Sequence, residues 1–484
     1  MTALGRVRST GAWRSPQRVF LVIALTFGLG FIVVTPALSG YDESIHVTRA
    51  WSISNGHFIA TRQYVDGHLD ALVDKFPKAL VDDLVMLQRL GGFNVGRAGD
   101  AYDHFGDAAP ADKPTMLVDF RSAAIYPPLP YAPAALAMRA GNAAGFSLLA
   151  TLLLARFAQL CAYILLVMWS IRRAPRHRWL LCALAITPVA LFQAAMISGD
   201  GITIGFALAT IAVAAALAQP NAPSRRLIIE AALVVVGLGL CKPPYVVLAL
   251  LFVPAIIRHW KPTRARAITI GMAVGPGIVS AALWMRYAQS VYLAPSFPYS
   301  PAGGFAYHDV DSKAQLRFVL RDPISFVAVL ARTALRSWAA LTHDSVAQVV
   351  AWDQPLFANL AVGVVVILAI FGAAHLQPAA SGASATRAPR ERTVGLAVAT
   401  IGSFAVCVLA YAGWNAVRAP RIDEMQGRYL FPFIAVALYA CAPGSRQRRA
   451  RRTNAFMHGA ARLAIPMLVA VELFTVLGIA NHYY

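Results

Sequence analysis

Apolar residues in this chain come in long unbroken runs, with few of the polar interruptions that mark a half-buried strand or a surface helix. A helix needs roughly 20 mostly apolar residues to cross a hydrocarbon core about 30 Å thick. Such runs cover Phe20–Leu38, Leu148–Ser170, Trp179–Ile197, Gly201–Ala218, Ala267–Tyr287, Leu356–Ala374, Val394–Tyr411 and Ala461–Ala480, and a shorter one covers Tyr429–Cys441. Leu227–Ile257 is apolar over 31 residues but is interrupted by Lys242-Pro243-Pro244. Proline lacks the helical N–H and pushes the residue before it out of the α region, so two short helices should meet at Cys241–Pro244. The pattern predicts an all-α polytopic membrane protein with about 11 transmembrane helices, in a range of about 9–13.

Composition agrees. Of 484 residues, 58% are hydrophobic and 14% charged, against about a quarter charged in soluble domains. Mean hydropathy is +0.57. A soluble enzyme and a disordered chain are both excluded. The net charge of +20 would suggest nucleic acid in a soluble protein. Here it sorts by topology. The N-terminal segment and the clusters Arg172–Arg178, Arg225-Arg226, Arg258–Arg266, Arg387–Arg392 and Arg446–Arg452 hold 22 Lys+Arg and one acid, Glu391. Residues 39–147 hold 9 Lys+Arg and 12 acids. Basic segments stay in the cytoplasm, so the N-terminus is expected there and no nucleic-acid partner is needed. The five cysteines lie in or beside apolar runs without CxxC spacing, as small buried hydrophobes would.

The whole chain, 1–484, then reads as one integral membrane domain. It has a first extracytoplasmic loop at 39–147, a second at 288–355 and a flexible cytoplasmic linker at 375–393. Keeping Arg172–Arg178 inside makes Tyr126–Gly141 an interfacial helix. Arg317, Arg321, Arg332 and Arg336 are too many for lipid, so Gln315–Leu341 is expected to lie on the outer face. In Leu69–Leu90 the apolar positions Leu69, Leu72, Val73, Phe76, Leu80, Leu84 and Leu87 follow a one-sided helical spacing.

Five places carry candidate chemistry. Asp42 and Glu43, in Gly40-Tyr41-Asp42-Glu43-Ser44-Ile45-His46, stand just past the first span. Asp42 suits a helix N-cap and equally a general base or metal ligand; His46 lies one turn on and shares its face. Tyr126-Pro127-Pro128-Leu129-Pro130-Tyr131 is a stiff extended run leading into a helix. Asp200, in Ser198-Gly199-Asp200-Gly201, is a helix cap or a second site acid. Lys242, between two half-helices, either snorkels to the interface or meets a phosphate as a point charge. Arg428, in Asp423-Glu424-Met425-Gln426-Gly427-Arg428-Tyr429, either pairs with a neighbouring acid or grips a phosphate bidentately. No GxSxG, P-loop, GxGxxG or HExxH motif occurs.

The order of these segments resembles the GT-C superfamily of membrane glycosyltransferases: a span ending in Asp-Glu, a long outer loop closing on a Pro-Pro-Leu run and a surface helix, then a span with Arg156 near its start. The stretches GYDESIHVTRAWSISNG, YPPLPYAP, SGD, CKPPY and QGRYLFP, from about Pro36 to Pro432, resemble the bacterial membrane-protein family catalogued as domain of unknown function 2142. The resemblance implies an inner-membrane glycosyltransferase acting on the extracytoplasmic side. It would move a sugar from a polyprenyl-phosphate carrier to a glycan, lipid or protein acceptor. Asp42 would be the base and Glu43 its assistant or a metal ligand, while Lys242 and Arg428 would hold the donor phosphate. His46, Tyr126, Tyr131, Asp200, Gln426 and Tyr429 would line the substrate site. A divalent cation such as Mg²⁺ or Mn²⁺ stays open, since Asp309-Val310-Asp311 matches a metal-binding triplet by spacing alone. The competing readings are a transporter or flippase for lipid-linked glycans, and a polysaccharide polymerase or ligase of another fold. A flippase favours internal-repeat symmetry, which the sequence lacks.

Overall fold

The computed structural model describes residues 15–65, 69–89, 115–259, 263–293, 310–347, 356–376, 389–423, 425–442 and 455–484. Among these, six helices are long and apolar enough to cross a membrane: Pro16–Val34, Leu148–Arg173, Asp200–Leu217, Arg264–Val291, Arg390–Trp414 and Ala461–Tyr483. Two bent pairs, Arg178–Ala185 with Pro188–Ala195 (60°) and Pro323–Ser337 with Leu341–Ala347 (73°), raise the number to eight if each is one span.

The described residues thus account for six to eight of the roughly 11 expected spans. The difference lies in short pieces. The expected run Leu356–Ala374 is met by the 18-residue helix Leu356–Ala373, whereas Pro243–Arg258 and Gly427–Cys441 are apolar but shorter than a span and Arg225–Gly239 has 15 residues. At 1.5 Å per residue such a helix rises only about 22 Å, less than the hydrocarbon thickness. The break at Lys242 falls where the prolines require it: Lys242 is extended, and a 3₁₀ segment, Pro243–Phe252, follows. Trp179–Ile197, expected as one span, bends at Thr187-Pro188, where proline opens the second helix.

The helix Asp200–Leu217 is the pillar of the bundle, with 94% of its length buried. Ala209, Ala212 and Ala215 are small enough to admit neighbours closely. It packs against Leu148–Arg173, Arg225–Gly239 and Pro188–Ala195. Gly201 permits the tightest of these approaches, because a Cβ there would lie 2.6 Å from Ala194 Cα.

Outside the bundle, the first loop carries a three-stranded antiparallel sheet in the order β1 (Arg62–Val65), β2 (Leu69–Pro77), β3 (Thr115–Asp119). Arg62 pairs with Leu72, and Val73 with Asp119. The single helix expected over Leu69–Leu90 is thus a strand followed by the helix Lys78–Arg89. Leu72, Asp74 and Phe76 are buried at a period of two. Asp74 belongs to that inward set because Ser52 Oγ (2.5 Å) and His57 Nδ1 (2.9 Å) bond it. The Tyr126–Gly141 region forms a 3₁₀ turn, Leu129–Tyr131, and a short helix, Ala132–Ala143. Gln315–Leu341, expected on the outer face, falls on Ser312–Arg321 and on Pro323–Ala347, whose bent halves together pass for a span. Phe326, Val329 and Thr333 bury one stripe of it, while Arg332 and Arg336 stay exposed on the other faces.

Candidate functional site

The first span ends at Val34, and the chain turns through Ser39-Gly40 into the helix Glu43–Ser54. Asp42 precedes that helix in the left-handed region, with φ 58°. Aspartate is one of the few residues with a Cβ that adopts this conformation readily. Its carboxylate caps no backbone N–H. Instead Oδ2 accepts from Gln426 Nε2 at 3.2 Å and from Arg428 Nη2.

Asp200 opens the pillar helix, where the macrodipole favours an acid. Its Oδ1 accepts from Lys242 Nζ and its Oδ2 from Arg428 Nε at 2.9 Å. Arg428 is thereby clamped between two carboxylates, and its guanidinium lies 4.2 Å from the ring centroid of Tyr41. Lys242 Nζ sits 4.5 Å from the centroid of Tyr429. Gly427 makes this possible, since a Cβ there would fall 2.6 Å from Ser345 N. Two acids and two cations cancel, and mutual pairing is what permits charges to be buried at this depth.

His46 and Tyr131 form the adjoining wall, with the Tyr131 hydroxyl 2.7 Å from His46 Nδ1. Burial drives the His46 pKa down to about 4, against the pull of Asp42 and Asp200. The ring is neutral at neutral pH, which fits Nδ1 as acceptor of the Tyr131 O–H. Burial likewise pushes the Tyr126 phenol up, so it remains a hydrogen-bonding group.

These side chains border a cavity of about 350 Å³. Asp42, His46, Tyr126, Lys242, Gln426 and Tyr429 line one part of it. Trp284, Met285, Val406, Leu409 and Trp414 line another. That apolar wall belongs to the spans Arg264–Val291 and Arg390–Trp414, whose most apolar stretches are only 22% and 33% buried within the protein. Trp284 Nε1 donates to Ile125 O at 2.9 Å, tying the wall to the first loop.

Four expected site residues stand elsewhere. Glu43 is fully buried and turned away from the cavity. Its Oε1 accepts from Arg156 Nε (2.8 Å) and Ile197 N (3.0 Å), and its Oε2 from Arg156 Nη2 (2.5 Å) and Gly40 N (3.1 Å). Arg156 also donates to the carbonyls of Thr35 (2.6 Å) and Pro36 (2.8 Å). Glu43 is therefore a structural clamp, because every lone pair is already committed. Tyr131, Asp200 and Arg428 do not line the cavity; they are buried behind His46, Lys242 and Asp42.

A divalent cation does not fit this arrangement. Among the described residues no three His, Cys, Asp or Glu side chains converge on one point, and both nearby carboxylates are already neutralised by Lys242 and Arg428. Asp311 caps the helix Ser312–Arg321 through the N–H groups of Lys313 and Ala314; Asp309 lies outside the described residues. Tyr41, Trp284 and Trp414 were not among the expected site residues. Tyr41 adjoins Asp42 in sequence, and the two tryptophans stand near span ends, where aromatic residues concentrate.

Residues 25–437 match the family model of the predicted membrane protein family DUF2142. The chain belongs to this family. Neither a curated protein nor a solved structure matches it. The matched span of this DUF2142 member contains every residue of the charged cluster, from Asp42 to Arg428.

Proposed function

We propose that this DUF2142 protein is a membrane glycosyltransferase of the GT-C type. It moves a sugar from a polyprenyl-phosphate carrier to a hydroxyl of an extracytoplasmic glycan, lipid or protein. One observation carries the reading: Asp42 and Lys242 face the same cavity, which is polar where they stand and walled by two lipid-facing spans elsewhere. A substrate with a charged head and a hydrocarbon tail matches both halves.

In this reading the acceptor oxygen attacks the anomeric carbon while Asp42 takes its proton. The bond from that carbon to the phosphate oxygen breaks, and its electron pair leaves with the phosphate. Lys242 stabilises the charge growing there. Phosphate is already a good leaving group, so positioning, one base and one cation suffice. Arg428 and Gln426 act on the sugar only through Asp42, by fixing its rotamer.

The test is sugar transfer by the full-length protein in proteoliposomes supplied with a polyprenyl-phosphate sugar and a soluble glycan acceptor. Asp42→Asn should abolish transfer while the melting temperature stays near that of the parent. Full activity of Asp42→Asn overturns the role of Asp42. Movement of the lipid-linked sugar across the vesicle without a new glycosidic bond overturns transfer itself.

A further inference from the structure

A second concavity lies at the other end of the bundle. The pillar helix begins at Asp200, and Arg225–Gly239 ends just before Lys242. With 15 residues at 1.5 Å each, the start of Arg225–Gly239 lies about 22 Å from the Asp42 cavity along the helix axis. From there back toward Phe206, which packs against Gly237, Leu166, Trp169, Phe206, Ile229, Leu233 and Val234 line an open groove of about 770 Å³. Ile229 and Leu233 are 49% and 63% exposed, so the groove opens toward the lipid.

The rim is charged and unbalanced. Arg225, Arg226 and Glu230 border the groove. Glu230 accepts from Arg173 Nε at 2.5 Å and from Arg226 Nε at 3.0 Å, and Arg225 has no ion-pair partner among the described residues. Two guanidinium groups, of Arg173 and Arg226, hold the one carboxylate and Arg225 adds a third, unpaired one, a surplus of two positive charges beside an apolar slot. The Arg226 side chain is 87% exposed and keeps guanidinium N–H groups beyond its one bond to Glu230.

We infer that this groove binds an anionic glycerophospholipid of the adjoining leaflet. Its phosphate rests between Arg225 and Arg226, and an acyl chain lies along Phe206, Ile229 and Leu233. Charge complementarity selects the head group, because a zwitterionic lipid carries its own cation to the rim. Basic pockets between spanning helices bind anionic head groups in this way. The lipid would brace Leu148–Arg173, Asp200–Leu217 and Arg225–Gly239 against one another. The last two of these place Asp200 and Lys242 at their far ends.

The test uses the full-length protein in phosphatidylcholine nanodiscs, titrated with phosphatidylglycerol and read as melting temperature and as lipid retained in native mass spectra. Phosphatidylglycerol should stabilise the parent protein in a saturable way. Arg225→Gln/Arg226→Gln should weaken apparent lipid affinity about thirty-fold, at about 1 kcal/mol per arginine. Leu233→Asn should weaken it while keeping the rim intact. Arg390→Gln/Arg392→Gln removes equal charge outside the groove and should leave affinity within about three-fold. An equal loss in the two double variants overturns the site in favour of general surface attraction. Saturation by inorganic phosphate or soluble glycerol phosphate at similar affinity also overturns it, since the acyl slot would then contribute nothing. If the arginine double variant does not fold, single Arg225→Gln decides, because Arg225 holds no other group.

Discussion

Asp42 and Glu43 are adjacent acids, and the structure gives them opposite consequences when their charge is removed. In Glu43→Gln, one carboxylate oxygen becomes an NH₂ donor. It then faces donors, because all four hydrogen bonds to Glu43 come from N–H groups of Arg156, Ile197 and Gly40. Arg156 is left as a charge with no exposure to water. Removing one partner of a buried ion pair costs about 3–5 kcal/mol, which corresponds to a drop in Tm of roughly 5–10 °C. Asp42→Asn is milder. The Asp42 side chain is 24% exposed, and Arg428 keeps Asp200 as a partner, so about 1–2 kcal/mol is at stake. Arg156→Met should cost more than Glu43→Gln, because it strands Glu43 and also takes donors from the carbonyls of Thr35 and Pro36. The assay is thermal unfolding in detergent by tryptophan fluorescence, with the surviving monodisperse fraction after heating as a second readout. Equal losses in Asp42→Asn and Glu43→Gln, or an unchanged Tm in Glu43→Gln, would refute the division of labour.

His46 supplies a pH-dependent term. Its folded pKa lies near 4, below the ordinary 6.5, so its contribution to stability is present above about pH 6.5 and is lost as pH falls toward 4. His46→Gln should flatten the Tm profile over that window. Asp83 works in the opposite direction: burial, helped by Asp82, raises its pKa to about 7. Its contribution is present below about pH 4 and lost as pH rises through 7, so Asp83→Asn should raise Tm at pH 8 and change it little at pH 4. Gly201→Val should fail to give a monodisperse protein, because even a single Cβ there meets the backbone of Ala194 at 2.6 Å; an unchanged elution profile would count against the close helix approach.

Much of the site was legible because it stands at interruptions. Lys242 breaks an apolar run, and Asp200 and Arg428 interrupt entries to two others, so each stands out against its surroundings. The structure links all three to Asp42 in one chain of ion pairs, Arg428 bonding both Asp42 and Asp200 and Lys242 bonding Asp200, across separations of up to 386 residues. What could not be read was which of two neighbouring acids faces the cavity. One residue along a helix turns a side chain by about 100°, and the partner that holds Glu43 lies 113 positions away. The strand Leu69–Pro77 was hidden for a different reason. Leu69, Leu72, Val73 and Phe76 satisfy a helical period, while the two-residue alternation includes Asp74, a polar residue made acceptable inside by Ser52 and His57. Hydropathy alone also misses breaks within apolar runs. It sums apolar residues without seeing bends such as Thr187-Pro188 or pieces as short as Gly427–Cys441.

The positive φ at Asp42 reorders the usual scale of conservative replacement at that position. Glutamate keeps the acidic group but tolerates this torsion less well and reaches one methylene further. Asparagine and glycine discard the acid yet suit the backbone. A saturation library sorted for expression should therefore enrich Asn and Gly over Glu at codon 42, whereas one sorted for any acid-dependent output should reject all three. Two independent demands meet in one residue, and aspartate is the side chain that satisfies both.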